Sequence, residues 1–580
     1  MRRIGRVLVK ILAVIGLLTV AGIAFLGWMA GRIEPALPKR MVLTLDLEGD
    51  FREAPDGDPF ARLAGRKSYV LRETAAAIDR AGADPRVAGL FATIGSTKLG
   101  MAGVQEIRDA VKRFRASGKP AVLFAETIGD FGKGTVEYYL ASAFGELWLQ
   151  PSGDVAVTGF MAESPFIKGT LDMLGIQPQV AARWQYKSAI EIFTEKGFSQ
   201  PHRENLGALL DSFSAQAVEG IAEARRLQVP AVQAAIAKAP LLAGEALAAG
   251  LVDKLGYRDE ALATFGDGPK PKEVDLADYA ARTVLHTGGR IAVITGVGDI
   301  HRGPSDGPFG DDQGFGSTSI AKAFREAAAD PEVKAIVLRI DSPGGSYVAS
   351  DTVWREVARA RRAGKPVVAS MGGVAASGGY FVAMAADRVV AQPGTITGSI
   401  GVFAGKAVLA DFWSKLGISW DEMHRGDNAT MWSFNKPFTP EAWERVNAML
   451  DHIYADFTTK AMEGRGIPAD RIDSVARGRV WSGADAKRLG LVDALGGFDV
   501  ALNEARRLGG LAVDAPVDLV AFPHPKKPWE VLAGLASAGG IDGDVSRRLA
   551  QVLAVLEPLA VRLGGGDGAQ LRLPPGDLVR

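Results

Sequence analysis

The chain has 580 residues, of which 47% are hydrophobic and 23% charged, a length that exceeds one ordinary hydrophobic core and implies several folded units. Lys plus Arg and Asp plus Glu both number 67, so no net charge points to nucleic acid as a partner. No cysteine is present, which excludes disulfides, thiolate metal sites, cysteine nucleophiles and lipidation at cysteine.

The first element in chain order is an apolar run. Ile11 to Ala30 carries no charge and is dominated by Ile, Leu, Val, Ala and Gly, and about 20 such residues span a bilayer as a helix. Arg2, Arg3, Arg6 and Lys10 precede it. The positive-inside rule therefore predicts a cytoplasmic N-terminus and everything after Arg32 on the far side. A cleavable signal peptide would export the chain equally well, but the run is longer than a typical signal-peptide core and ends without a clean small-x-small site before Arg32. The expectation is one uncleaved transmembrane helix.

The remainder is an internal duplication. Asp84-Pro85-Arg86-Val87 recurs as Asp330-Pro331-Glu332-Val333, and Ser117-Gly118-Lys119-Pro120 as Ala363-Gly364-Lys365-Pro366, at one common offset. Gln150-Pro151 recurs as Gln392-Pro393 and Gly250-Leu251-Val252-Asp253 as Gly490-Leu491-Val492-Asp493, at successively shorter ones. Each copy reads as α/β. Gly266 to Lys272, rich in Gly, Pro and Lys, closes the first, and a helix then leads into a strand over Arg290 to Thr295. Arg302 to Ser317 is a Gly/Asp/Pro-rich loop. Ala335 to Ile340 is a short apolar strand, and Asp351 to Arg361 places Val353, Trp354, Val357 and Ala358 at helical spacing. Gly364 and Pro366 stop that helix; Val367 to Ser370 is the next strand and Gly378 to Ala386 the next helix. Strands alternating with helices predict mostly parallel pairing and right-handed crossovers. Residues beyond about 510 fall outside the duplication. Trp529 to Leu563 carries an amphipathic helical pattern, and the residues from Gly564 read as a poorly ordered tail.

Two motifs in the second copy carry chemistry. Asp341-Ser342-Pro343-Gly344-Gly345 follows an apolar strand, and a glycine pair there lets backbone N–H groups approach a ligand and form an oxyanion hole. Alone, it is equally an ordinary turn. Ala375-Ala376-Ser377-Gly378-Gly379-Tyr380 follows the next strand and opens a helix, whose N-terminus favours developing negative charge. A serine there is most often an N-cap; two such motifs at the ends of neighbouring strands favour a nucleophile, with the Gly378 N–H joining one from Gly344 or Gly345. A serine nucleophile needs a base. The six histidines, His202, His286, His301, His424, His452 and His524, lie in no evident motif, and on residues alone a Ser/His/Asp triad and a Ser/Lys pair both stay open.

Val374-Ala375-Ala376-Ser377-Gly378-Gly379-Tyr380 and then Gly394-Thr395-Ile396-Thr397-Gly398-Ser399-Ile400-Gly401 closely resemble the bacterial signal peptide peptidase A family. So do Tyr186-Lys187-Ser188-Ala189 and Phe193-Thr194 in the first copy. The duplication and the N-terminal anchor match the long form of that family, and the resemblance covers roughly residues 1–510. It implies the fold shared by Clp proteases and crotonases, and a Ser/Lys dyad with Ser377 as nucleophile, Lys187 as general base and Ser399 orienting the Lys187 amine. It also implies hydrophobic peptides, including cleaved signal peptides, as substrates. The protein would be a homo-oligomer, tetrameric in the family, in a bacterial inner membrane with a periplasmic body. No cofactor or metal is implied.

The two copies divide the dyad between them. Anchored on Tyr138 and Tyr380, the position of Ser377 is held by Thr135 in the first copy and that of Lys187 by Ala429 in the second; at the offset that aligns Asp330 with Asp84, that of Gly344-Gly345 is held by Lys98-Leu99. The aromatic and apolar neighbours Trp184, Tyr186, Ile190 and Phe193 suggest a partly desolvated lysine rather than an ordinary surface one. The expected organisation is a tip and anchor over 1–40, a Lys-supplying repeat over 41–285, a Ser-supplying repeat over 286–510 and an extension over 511–580. Two competing readings are a crotonase-type acyl-CoA enzyme, disfavoured by export and by the Ser-Gly-Gly helix start, and a non-catalytic membrane scaffold, disfavoured by retention of both dyad members.

Overall fold

The structure is a computed structural model that describes residues 36–54, 68–129, 132–266, 271–283, 287–305, 315–513 and 515–524. The apolar run from Ile11 to Ala30, the pattern from Trp529 to Leu563, and His286 lie outside the described residues. Among the described residues, no helix is long and apolar enough to cross a membrane.

The apolar runs form two sheets. In the first half the strand order is Lys254–Leu255, Glu146–Leu149, Ala121–Ala125, Val87–Thr93, Met41–Asp46, Lys272–Asp275, with every pair parallel. The second half repeats that order as Ala494–Leu495, Arg388–Ala391, Val367–Ala376, Val333–Ser342, Gly289–Val297, Val517–Phe522, again parallel. Its strand Val367–Ala376 forks, since its far end pairs instead with Ile396–Gly398, to which Val480–Ser482 adds antiparallel. Parallel strands are covered on both faces and so need continuous apolar sequence. Ala335, Ile336, Val337, Leu338 and Ile340 are all fully buried.

The duplicated signatures make the same contacts in both halves. Asp84 and Asp330 each accept the N–H two residues on, closing the turn before a strand. Lys119 caps the carbonyls of Ala81 and Asp84, and Lys365 those of Asp330 and Val333. Tyr138 donates to the Leu251 carbonyl and Tyr380 to that of Leu491, while Asp253 and Asp493 accept strand N–H groups from Leu147 and Val389. These residues repeat because they tie helices to sheet edges.

Several elements differ in extent from the sequence reading. Val333–Ser342 and Val367–Ala376 are longer than expected and run into both chemical motifs. The helix Tyr347–Arg362 starts earlier because Ser346 caps it through the Ala349 N–H, and the helix from Gly378 already ends at Ala383. The 302–317 loop contains a two-residue strand, Phe315–Gly316, on which the helix Ser317–Ala329 begins. The boundary at 510 also moves. Val517–Phe522 is the edge strand beside Gly289–Val297, the counterpart of Lys272–Asp275 in the first half, and Phe522 is buried. Interrupted by Asp518 and with only Phe522 buried, its apolar pattern does not stand out from a tail.

Among the contacts that join the halves, two bear on the site. Gln177–Arg183 pairs antiparallel with Val402–Val408 as a cross-half ribbon, packed on the helix Pro440–Arg465 through Ala181, Ala404, Val446 and Leu450. On the other side Arg339, fully buried in the second sheet, binds Glu53 and Glu106 of the first half.

Candidate active site

The ribbon delivers Lys187. Past its end, the N–H groups of Trp184 and Tyr186 both donate to the Arg477 carbonyl, and the Lys187 N–H turns back to the Trp184 carbonyl. Gly478 makes this approach possible. Its φ is +83°, and a Cβ there would lie 2.6 Å from the Lys187 nitrogen and 2.7 Å from its Cβ. The Lys187 side chain is 7% exposed. Its Nζ lies 3.0 Å from Ser377 Oγ, 2.8 Å from Ser399 Oγ and 3.0 Å from the Ser399 carbonyl. Burial lowers its pKa from the ordinary 10.5 to about 7, because a charged ammonium is poorly solvated there.

Ser377 sits between the strand Val367–Ala376 and the helix Gly378–Ala383 with φ +53° and ψ −116°, a conformation that non-glycine residues hold only when the surroundings enforce it. Its N–H donates to the Gly398 carbonyl, and its side chain does not cap the helix. The N-cap reading is therefore not the one realised; the hydroxyl turns to Lys187. Ser399 also has positive φ, +53°, and its N–H is held by the Arg479 carbonyl.

The glycine turn packs directly on the serine. A Cβ on Gly344 would meet the Gly378 nitrogen at 2.7 Å and Ser377 Cβ at 2.8 Å, and one on Gly345 the Ile300 carbonyl oxygen at 2.2 Å. Both glycines have positive φ. The three expected oxyanion donors are not equivalent. The Gly344 N–H donates to Ser342 Oγ at 3.2 Å, whereas neither the Gly345 nor the Gly378 N–H donates to another described residue. Those two nitrogens neighbour one another, since a Cβ on Gly378 would sit 3.2 Å from the Gly345 nitrogen.

The aromatic residues near Lys187 do not bury it. Trp184 and Phe193 stay 47% and 41% exposed; Trp184 stacks edge-on with Tyr454, and the Tyr186 hydroxyl bonds Glu204. The close cover comes from backbone, notably Gly478 and Ser399. That strand of the site, Arg477-Gly478-Arg479, was missed from sequence, and an Arg-Gly-Arg triplet gives no signal by which to find it. None of the described histidines hydrogen-bonds Ser377. His202 binds Glu191, His301 the Arg302 carbonyl and His424 Glu422.

The corresponding place in the first half is closed. Thr135 exchanges hydrogen bonds with the carbonyl and N–H of Gly159. Glu137, at the position of Gly379, is buried, and burial raises its pKa. Ala429, at the position of Lys187, is exposed. Among the described residues no cluster of metal-ligating side chains occurs. The site in the second half thus offers a hydroxyl in contact with a buried amine, beside two undonated backbone N–H groups. That set is suited to acyl transfer.

The model of peptidase family S49 matches residues 113–269 and 359–512, one stretch in each half. The chain is 34% identical over 506 residues to "Serine protease SPPA, chloroplastic" of Arabidopsis thaliana, covering 84% of this chain and 73% of that protein. It is also 34% identical over 501 residues to Protease 4 of Salmonella typhi, covering 81% and 79%. Among solved structures, a ClpP1 mutant of Listeria monocytogenes aligns over 36% of this chain and 94% of its own, at 15% identity and a TM-score of 0.24, a score too low to carry any argument.

Proposed function

This chain belongs to peptidase family S49 and is a serine peptidase, and on that premise we propose that Ser377 and Lys187 form its catalytic dyad. The observation that carries the reading is the 3.0 Å separation of the buried Lys187 Nζ from the half-buried Ser377 Oγ. Neutral Lys187 takes the hydroxyl proton as Ser377 Oγ bonds to the scissile carbonyl carbon. The oxyanion that forms is held by the N–H groups of Gly345 and Gly378; Gly344, already committed to Ser342, shapes the turn. Lys187 returns the proton to the leaving amine, the C–N bond breaks and an acyl-enzyme remains. Lys187, neutral again, deprotonates the water that hydrolyses it. Ser399 fixes the amine through its hydroxyl and carbonyl.

The substrates in this proposal are hydrophobic peptides, cleaved signal peptides among them, taken in extended form by strand addition. Each half has the Clp protease/crotonase-like fold, and the Ile11 to Ala30 run anchors a periplasmic body to the inner membrane. The acyl-CoA reading falls away with membership of a peptidase family. Self-association belongs to the same proposal. By the duplication, the ribbon strands Gln177–Arg183 and Val402–Val408 correspond to residues 419–425 and 160–166, and among the described residues neither of those segments is strand-paired. A second copy would repeat the ribbon there, head to tail.

Turnover of a hydrophobic peptide ester by the full chain tests the dyad. Ser377→Ala and Lys187→Ala should each abolish it, with a serine-directed reagent labelling wild type at Ser377. Near wild-type turnover by Lys187→Ala at neutral pH would assign the base elsewhere, and full biological activity of Ser377→Ala would favour the scaffold. Protease added outside spheroplasts should degrade the body; protection until lysis would reverse the topology. Native mass spectrometry reporting only monomer at micromolar concentration would remove the oligomer.

A further inference from the structure

The strand that ends in Ser377 is out of step with its neighbour, and one carboxyl fills the step. Val333–Ser342 and Val367–Ala376 pair residue for residue from Ile336 opposite Val367 to Ile340 opposite Met371, and then Ser342 stands opposite Ala375. Asp341 alone therefore faces Gly372, Gly373 and Val374. A bulge of this kind leaves strand N–H groups without ladder partners. Here Asp341 Oδ1 accepts the Val374 N–H at 2.8 Å, and the Gly373 N–H also favours its charged form. A Cβ on Gly372 would lie 3.1 Å from Asp341 Cβ and 3.0 Å from Glu53 Oε1, so the glycines are what let the bulge close over the carboxyls. The two extra residues bring Ser377 level with the Gly344-Gly345 turn.

The first half offers an internal comparison. At the offset that aligns Asp330 with Asp84, Asp341 corresponds to Gly95 and Arg339 to Thr93. The half in which Thr135 replaces the serine and Lys98-Leu99 the glycine pair thus also lacks this carboxyl. There the Gly95 carbonyl simply accepts the Gly129 N–H.

We propose that Asp341 is a positioning residue for the peptidase reaction, its carboxylate holding the bulge that sets Ser377 against the Gly344-Gly345 turn. The inference rests on the dyad reading. Protonation turns one carboxyl oxygen into a donor and weakens the hold on strand N–H groups. The charged groups facing Asp341 are Glu53, from the first half, and Arg339, on its own strand; behind Arg339 lies Glu106. One guanidinium thus serves three carboxyls. Burial first, and Glu53 second, push the Asp341 carboxyl up to about 6, and burial also raises Glu106.

The test is the pH dependence of kcat/KM for a hydrophobic peptide ester, with wild type, Asp341→Asn and Glu53→Gln in the full chain. In wild type the acid limb should fall with unit slope below about 7, where Lys187 protonates, and steepen towards a slope of two below about 6. Asp341→Asn should lose about ten-fold in kcat at pH 8, the worth of one charge-assisted hydrogen bond, with KM held within about two-fold, and its limb should keep unit slope throughout. Glu53→Gln should move the second break to lower pH, because a like charge is removed. Asp341→Asn with wild-type kcat, or with the steepened limb intact, overturns the proposal. Should that variant not fold, a folded Glu53→Gln whose second break stays in place overturns it equally. Failure of the dyad reading has a different signature: Ser377→Ala or Lys187→Ala would keep its turnover.

Discussion

Gly478→Ala should disable the enzyme while leaving it folded. The substitution has two costs that can be separated. A side chain at φ +83° is strained wherever it stands, at about 1 kcal/mol. The added Cβ would also lie 2.6–2.8 Å from the Lys187 nitrogen, Cβ and Cα. Ordinary contact needs roughly 0.7 Å more, and Cβ contacts this short are repulsive on all sides. The backbone carrying Lys187 must therefore retreat, and an Nζ that now sits 2.8–3.0 Å from Ser377 and Ser399 leaves hydrogen-bond reach. A displacement approaching 1 Å costs on the order of a hundred-fold in rate. Gly490→Ala is the control, since its φ is +82° and nothing lies within 4 Å of its would-be Cβ. It should lose a similar ~1 kcal/mol of stability and no activity. The assay is steady-state turnover of a peptide ester alongside thermal melts of both variants. Gly478→Ala with kcat within two- or three-fold of wild type, at a melt matching that of Gly490→Ala, would refute the placement of Lys187 by this segment.

Lys187→Met should abolish turnover yet stabilise the fold. The folded pKa, about 7, lies below the unfolded one near 10.5, so between those values the unfolded chain binds the extra proton and wild-type stability climbs with pH. The variant's advantage, a few kcal/mol, should be fully present below pH 7 and vanish towards pH 10.5 in denaturant titrations. Lys187→Arg should be as inactive as Lys187→Ala, because guanidinium stays charged, and Ser377→Ala/Lys187→Ala should be little worse than either single variant; multiplicative losses in kcat would mean that the two act independently. Arg339→Met should cost about 3–5 kcal/mol, because it strands the carboxylates of Glu53 and Glu106 in the interface; a loss below 1 kcal/mol in urea unfolding would mean that this ion pair does not hold the halves together.

Much of this was legible in sequence because it is local. The repeated turn aspartates, capping lysines and Gly-Leu-Val-Asp segments are short motifs whose contacts lie close to them or recur at one offset, and they fix the doubled α/β order. Ser377, Ser399 and the glycine turn also stand in short motifs at strand ends. The pairing of Lys187 with Ser377 was reached through resemblance, because nothing in either segment specifies the other. Gly478, the Arg477 and Arg479 carbonyls and the bulge at Asp341 were invisible for a different reason: their roles depend on which backbone passes within 3 Å, and periodicity carries no such information. The edge strand Val517–Phe522 was missed because it is half-exposed and interrupted by Asp518. Desolvation of Lys187 was expected from its aromatic neighbours, but side chains at a rim can point outward while backbone closes the pocket.

The distance along the chain between base and nucleophile has a bearing on when activity can exist. Lys187 precedes Ser377 by 190 residues and Ser399 by 212, and the segment that backs Lys187 comes later still, at Arg477 to Arg479. A chain emerging from synthesis therefore carries an amine without a hydroxyl, then a hydroxyl whose proposed base has no lining. Only after the second sheet has formed and the cross-half ribbon has zipped are all the parts in one place. On the proposed dyad, a chain still incomplete would lack the means to attack unfolded neighbours or itself, and a chain truncated before residue 477 should be inactive.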